Sequence, residues 1–241
     1  MNESTFILKD INQYLVFISQ VKNLSENTTK SYERDLRKLS VFIKELKISN
    51  YSDISPEICS AWIGNLYNQN NNPKSIQRHL SSAKGFFRFL KKNNLVDSSP
   101  FELITAPKSP NTLPEVLSPE NVEQLLNFKP TSLIEIRDLA IVELMYSSGL
   151  RVSETVNINL SDFEDNMSFL RVFGKGSKTR LVPLGRFAIN AIKNWLVERK
   201  KIVTKTEALF LNSKGTRLGV RSVQIRLKKM AVKQGLPPIH P

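Results

Sequence analysis

The sequence predicts a mainly α-helical protein of two domains, the first all-α and the second α with a small β element. Three observations predict it. Four segments of helical apolar periodicity fill the first hundred residues, five prolines then fall between 98 and 119, and a β-rich run on each side of a glycine-rich turn appears only after residue 167. The boundaries read from this pattern are 1–105, a linker at 106–117, and 118–241.

The elements follow in order. "ILKDINQYLVFISQV" is the first helix and "SENTTKSYERDLRKLSVFIKELK" the second, the latter with Tyr32, Leu36, Leu39, Ile43 and Leu46 on one face. "SPEICSAWIGNLYNQ" opens on Ser55-Pro56, a helix-start signal, and "NPKSIQRHLSSAKGFFRFLKKNN" follows the break at "NQNNNP". Four helices on short loops make a compact bundle, and Phe86, Phe87 and Phe89 are core candidates within it. Pro100, Pro107, Pro110, Pro114 and Pro119 then exclude a helix and form a stiff spacer.

Ser118-Pro119-Glu120 restarts the chain as a helix, with serine at the N-cap and proline at N1. "LIEIRDLAIVELMY" is apolar at helical spacing and stops at "SSG", where Gly149 is free to take the left-handed conformation. Arg151 stands just beyond that stop, held by the packing of the helix: it is a surface residue of a tight turn or a cation aimed at something. The runs 168–173 and 180–184 flank Gly174-Lys175-Gly176-Ser177-Lys178-Thr179 and read as a β-hairpin. A helix at about 186–200, the short apolar run "ALFLN", and the basic amphipathic helix "LGVRSVQIRLKKMAVKQG" complete the chain.

Composition narrows the function. The 241 residues are 40% apolar, enough for a real core, and carry a net charge of +13. That charge is concentrated: residues 110–170 hold 3 basic and 10 acidic side chains, residues 171–241 hold 17 basic and 2 acidic. Such a concentration favours a polyanionic partner, foremost nucleic acid. A membrane surface fits less well, because the basic segment has no long helix with an aromatic apolar face. Cys59 is the single cysteine, which excludes an internal disulfide and a cysteine-built zinc site. No window reaches about 18 uncharged apolar residues and no leader pattern opens the chain, so a cytoplasmic location is expected.

The glycine-rich turn is not a nucleotide loop. A P-loop needs G-x-x-x-x-G-K-[ST] opening a helix, whereas here a strand follows. Taken alone, Lys175 and Lys178 are an ordinary hairpin tip. His79 is expected as a partly exposed residue of the fourth helix, and with His240 as the only other histidine neither a metal site nor a cofactor is expected.

The combination carries more than its parts. Arg151 after a helix-ending glycine, Glu154 three residues on, Lys175 at a hairpin tip and a basic region beyond resemble the tyrosine recombinases, most nearly the bacterial Xer type. "SGLRVSE", "GKGSKTRLVPLG" and "ALFLNSKG…R" match that family in order and spacing. "NTTKSYERDLRKL…F" with "L…FFRFL" resembles its SAM-like core-binding domain, so that nearly the whole chain is covered.

The resemblance implies a reaction. A tyrosine attacks a DNA phosphodiester to give a 3′-phosphotyrosyl link, and the freed 5′-hydroxyl later attacks a partner strand within a tetrameric synapse of recombinase protomers. It implies that Arg151 binds the non-bridging oxygens with two parallel hydrogen bonds, that Lys175 protonates the departing 5′-oxygen, and that Glu154 supports Arg151. Lys178, Arg180, Arg221, Arg226, Lys228 and Lys229 in the second domain, and Lys74, Arg78, Lys84 and Arg88 in the first, are candidates to hold the duplex backbone, the two domains gripping it as a clamp. No cofactor is implied.

The sequence also departs from the family. Its His-x-x-Arg motif, its further histidine or tryptophan and its nucleophilic tyrosine all lie beyond the basic helix, whereas Tyr14, Tyr32, Tyr51, Tyr67 and Tyr146 all precede Arg151. His240 aligns with the histidine before the catalytic one. Two expectations follow: a site-specific recombinase whose catalytic domain is cut short and inactive as given, or a non-catalytic DNA-binding relative that occupies or regulates recombination sites.

Overall fold

The computed structural model describes residues 5–105, 117–174 and 178–237. Most of the expected linker, together with Lys175, Gly176, Ser177 and His240, lies outside them. The chain divides into two compact units, Met1–Thr112 and Leu113–Pro241.

The first unit is a bundle of α1 (Thr5–Gln20), α2 (Glu26–Glu45), α3 (Pro56–Asn68) and α4 (Pro73–Lys92). Local chemistry sets its helix ends. The Ser25 hydroxyl accepts from the Thr28 amide, the Asn72 side chain accepts from the Lys74 amide, and Pro56 and Pro73 begin their helices where no amide donor is needed. Just past the four C-termini stand Asn23, Lys47, Asn70 and Asn94, all with φ between 48° and 57°. Asparagine tolerates this left-handed region better than most residues, which accounts for three of the four exits.

Ile11, Leu36, Leu39, Ile43, Ile76, Phe86 and Phe87 form the centre of this unit's core, with Trp62 edge-on to Phe101. Leu46 departs from its expected face: α2 ends at Glu45 and Leu46 is exposed. His79 also departs from expectation. It is buried, not partly exposed, because α4 turns it inward with Ile76, Leu80 and Ala83, and its ring meets Trp62 edge-on at 5.8 Å. Burial pushes the imidazole pKa down, so the ring is held neutral against the pull of nearby Asp35.

The second unit contains α5 (Pro119–Leu126), α6 (Leu133–Ser148), α7 (Val152–Asn157), β1 (Phe163–Glu164), β2 (Phe169–Phe173), β3 (Thr179–Pro183), α8 (Arg186–Arg199) and α9 (Val220–Lys233). Ser118 caps α5 as its sequence implies, accepting from the Asn121 amide. The strands form one antiparallel sheet in the order β1-β2-β3, with Leu170 opposite Val182 and Phe173 opposite Thr179. Alternation turns Leu170, Val172 and Val182 inward and leaves Phe169, Phe173 and Leu181 exposed. β1 was not legible beforehand, since two residues show no period.

"ALFLN" does not form a strand of its own. It makes single bridges, Ala208 to Asn159 and Leu211 to Arg217. Its apolar side chains are buried beside Trp195, whose indole N–H donates to the Leu209 carbonyl at 2.8 Å. α6 packs along α8 and also meets α7 and α9, so the end of α6 is held by the centre of the core.

Candidate phosphate clamp and basic surfaces

Gly149 ends α6 at φ 58° and ψ 35°, and both its amide and that of Leu150 turn back to the Met145 carbonyl. Leu150 and Val152 are buried on either side of Arg151, which therefore leaves the core at a fixed point. Arg151 is the N-cap of α7, and its side chain is 74% exposed. The residue is thus anchored through its backbone while its guanidinium faces solvent.

Glu154 fixes the base of that arginine. It is 6% exposed, and each carboxylate oxygen accepts two hydrogen bonds. Oε2 accepts the Arg151 amide at 3.0 Å and Arg180 Nη2 at 2.9 Å; Oε1 accepts Arg151 Nη1 at 3.2 Å and Arg180 Nη1 at 3.1 Å. The Arg180 guanidinium, first among these partners, holds the Glu154 carboxyl down to about 2. Glu154 thus contacts Arg151 directly, and Arg180, which the sequence reading placed on the duplex backbone, shares the same carboxylate. Nothing local could have revealed the pairing, because Arg180 lies 26 residues away on β3.

The hairpin joins this cluster at its base. The Gly174 amide donates to the Lys178 carbonyl at 2.8 Å. A side chain at 174 would begin 3.1 Å from Arg180 Nη1 and 3.4 Å from the Lys178 carbonyl oxygen, so glycine leaves room for the arginine to reach Glu154. Lys175, one residue on, lies outside the described residues, and Lys178 is exposed.

The remaining candidates separate by their partners. Lys74, Arg221, Lys228 and Lys229 are exposed, and their side chains make no hydrogen bond or ion pair among the described residues. Arg226 instead donates through Nε to Asp138 at 2.5 Å, and Asp138, which is 2% exposed, also receives Arg137 Nη2 at 2.7 Å. That charge ties α9 to α6. Arg78 likewise gives two hydrogen bonds to buried Asp35. Lys84 donates to the Glu102 carbonyl at 3.2 Å and, with Arg88, lines a cavity of about 430 Å³ together with Lys22, Lys92, Phe17 and Tyr32. Sequence reasoning did not single out Arg217, which closes the end of α7 on the Val156 and Ile158 carbonyls at 2.8 and 3.2 Å. Among the described residues no group of three metal-ligating side chains occurs, and no helix is long and apolar enough to cross a membrane.

Both units have counterparts in known proteins. Residues 11–94 match the phage integrase N-terminal SAM-like domain and residues 115–241 the phage integrase family. The chain belongs to the phage integrase family of tyrosine recombinases. It is 34% identical over 232 residues to the tyrosine recombinase XerC of Shewanella amazonensis, covering 96% of this chain and 77% of that one. The Haemophilus influenzae Rd XerC is 34% identical over 230 residues, at 95% and 78% coverage. In fold the chain resembles the XerH site-specific recombinase bound to its palindromic difH substrate in a post-cleavage complex, with a TM-score of 0.72 at 20% identity over 97% of this chain and 71% of that one. It also resembles a lambda integrase tetramer bound to a Holliday junction, with a TM-score of 0.68 at 17% identity over 95% of this chain and 66% of that one.

Proposed function

We propose that this chain is a site-specific recombinase of the Xer tyrosine type, acting on double-stranded DNA together with further recombinase protomers. The observation that carries the reading is an exposed Arg151 guanidinium seated on a buried Glu154 at the end of a core helix. A phosphate in transfer gathers charge on its non-bridging oxygens, and a cation fixed before the reaction stabilises that charge without reorganising. Arg151 supplies it, Glu154 supports it, and Lys175 protonates the leaving 5′-oxygen. Lys178, Lys74, Arg88, Arg221, Lys228 and Lys229 neutralise the duplex backbone, with one basic surface on each unit. The work of such a protein lies on chromosomal DNA, in the cytoplasm.

None of the five tyrosines is assigned the nucleophilic role. Tyr14, Tyr32, Tyr51 and Tyr67 belong to the helical bundle, and burial raises the hydroxyl pKa of both Tyr14 and Tyr51. Tyr146 is exposed on α6, ahead of the Gly149 turn. Attack on the phosphate is therefore assigned to none of these five side chains, and the described residues are read as those that hold the DNA and its phosphate.

The test is duplex affinity over a salt series, with Arg151→Gln beside the parent. Steep salt dependence with a loss in Arg151→Gln supports the reading, because each neutralised phosphate contributes about −0.9 to the log–log slope. A flat salt dependence would overturn it.

A further inference from the structure

We propose that Arg180 is a positioning residue: by taking up the Glu154 carboxylate it keeps the Arg151 guanidinium available to a phosphate and fixes the base of the β2–β3 hairpin beside it. The inference rests on the phosphate-binding role of Arg151 and goes beyond it, since Arg180 acts through Glu154 and not on DNA.

The geometry is specific. Both terminal nitrogens of Arg180 are committed, one to each oxygen of Glu154, at 3.1 and 2.9 Å. Arg151 gives the same carboxylate only one side-chain donor, at 3.2 Å, the longest of the four bonds. A carboxylate at this depth needs a full complement of donors. Without Arg180, the nearest cation able to complete it is Arg151, drawn down from its solvent-facing position into a closed pair. Arg180 thus satisfies the buried charge from the far side and frees the outer edge of Arg151.

Charge balance points the same way. Arg151, Glu154 and Arg180 together carry one net positive charge, open to solvent at Arg151. An Arg151–Glu154 pair alone carries none and attracts a phosphate weakly. Arg180 stands on β3, only four residues after Gly176, so the same bond that balances the carboxylate also sets where the hairpin leaves the core. Gly174 reserves the space for it.

Three variants of the whole chain test this: Arg180→Gln, Glu154→Gln/Arg180→Gln, and Arg180→Lys. Hydrogen exchange of the hairpin amides is read without DNA, and affinity for a short mixed-sequence duplex is read over a salt series. Arg180→Gln is expected to lose protection across β2 and β3, with α8 unchanged, and about tenfold in duplex affinity. In the double variant the buried charge and its partner are gone together, so Arg151 is no longer drawn in; part of the affinity loss is recovered and the parental salt slope is kept, while hairpin protection stays low. Arg180→Lys, a single donor, falls between.

Equal affinity losses in Arg180→Gln and the double variant, each with a salt slope smaller by about 0.9, would make Arg180 a plain phosphate contact and overturn the proposal. Unchanged hairpin protection would overturn the tether. If Arg180→Gln does not fold, the double variant, which buries no unpaired charge, still decides by its salt slope, parental for a positioning residue and smaller by about 0.9 for a phosphate contact. If the parent binds no duplex, the proposed function fails, and the exchange data still judge the tether.

Discussion

Arg78 fastens α4 to α2 through Asp35: its Nε donates to Oδ2 at 2.8 Å and its Nη2 to Oδ1 at 2.9 Å. Asp35 is 1% exposed, and Nδ1 of the neutral His79 ring lies 3.3 Å from Oδ1 without a hydrogen bond. Removing one partner of such a pair strands a buried charge, which costs about 3 kcal/mol. Arg78→Ala is therefore expected to lower the stability of the helical unit by that order. Lys74→Ala and Arg88→Ala should weaken duplex binding with stability unchanged. Chemical denaturation of each variant, followed beside duplex titration, checks the separation. Arg78→Ala with parental stability would return Arg78 to the set of plain backbone contacts.

Gly149 is expected to tolerate no side chain without cost, although a Cβ there meets nothing within 4 Å. The cost is backbone strain at φ 58°, on the order of 1 kcal/mol for alanine. Gly149→Ala should lower stability by about that amount. It should also lower duplex affinity, because the turn that aims Arg151 relaxes to escape the strain. Gly149→Asn, which accepts the left-handed region more readily, is expected to recover part of both losses. Equal behaviour of the two variants would remove backbone conformation as the cause.

These two sites show what was legible in the sequence. Gly149, Ser118-Pro119 and Ser55-Pro56 announced their helix ends because caps and left-handed exits are decided by a few neighbouring residues. The hairpin was visible because period 2 and a glycine-rich turn are local as well. Asp35 with Arg78, 43 residues apart, and Glu154 with Arg180, 26 apart, were not visible. In both cases a basic residue that reads as a surface contact is recruited by a buried carboxylate on a different element, and only the fold brings the two together. Arg226 on Asp138 repeats the pattern. Lys74, Lys228 and Lys229 make no ion pair among the described residues and stand as the proposed backbone contacts.

The Glu154 cluster sets a pH window. A carboxyl held below its ordinary value of 4.5 contributes stability that is complete above 4.5 and is lost as pH falls towards about 2. The contribution is at most about 3 kcal/mol, since each tenfold change in an ionisation constant corresponds to about 1.4 kcal/mol. Glu135 is held down to about 2 by Lys233 and titrates in the same range, so the comparison is a difference between the parent and Glu154→Gln. That difference should be constant from pH 8 to 5 and shrink between 4.5 and 2. A difference that changes between pH 8 and 6 would assign the effect to another group.

The last expectation concerns covalent chemistry. A phosphotyrosyl intermediate needs a tyrosine hydroxyl in line with the phosphate held by Arg151. Tyr14 and Tyr51 pack into the bundle, and burial raises both hydroxyls, which disfavours the nucleophilic tyrosinate. Tyr146 is exposed, but it is carried on rigid α6 before the turn that presents Arg151. Incubation of this 241-residue polypeptide with end-labelled duplex is therefore expected to give a retarded complex in a native gel and no labelled protein band after SDS. A band that survives SDS and disappears in Tyr146→Phe would place the nucleophile on α6 and overturn the assignment of these residues to binding alone.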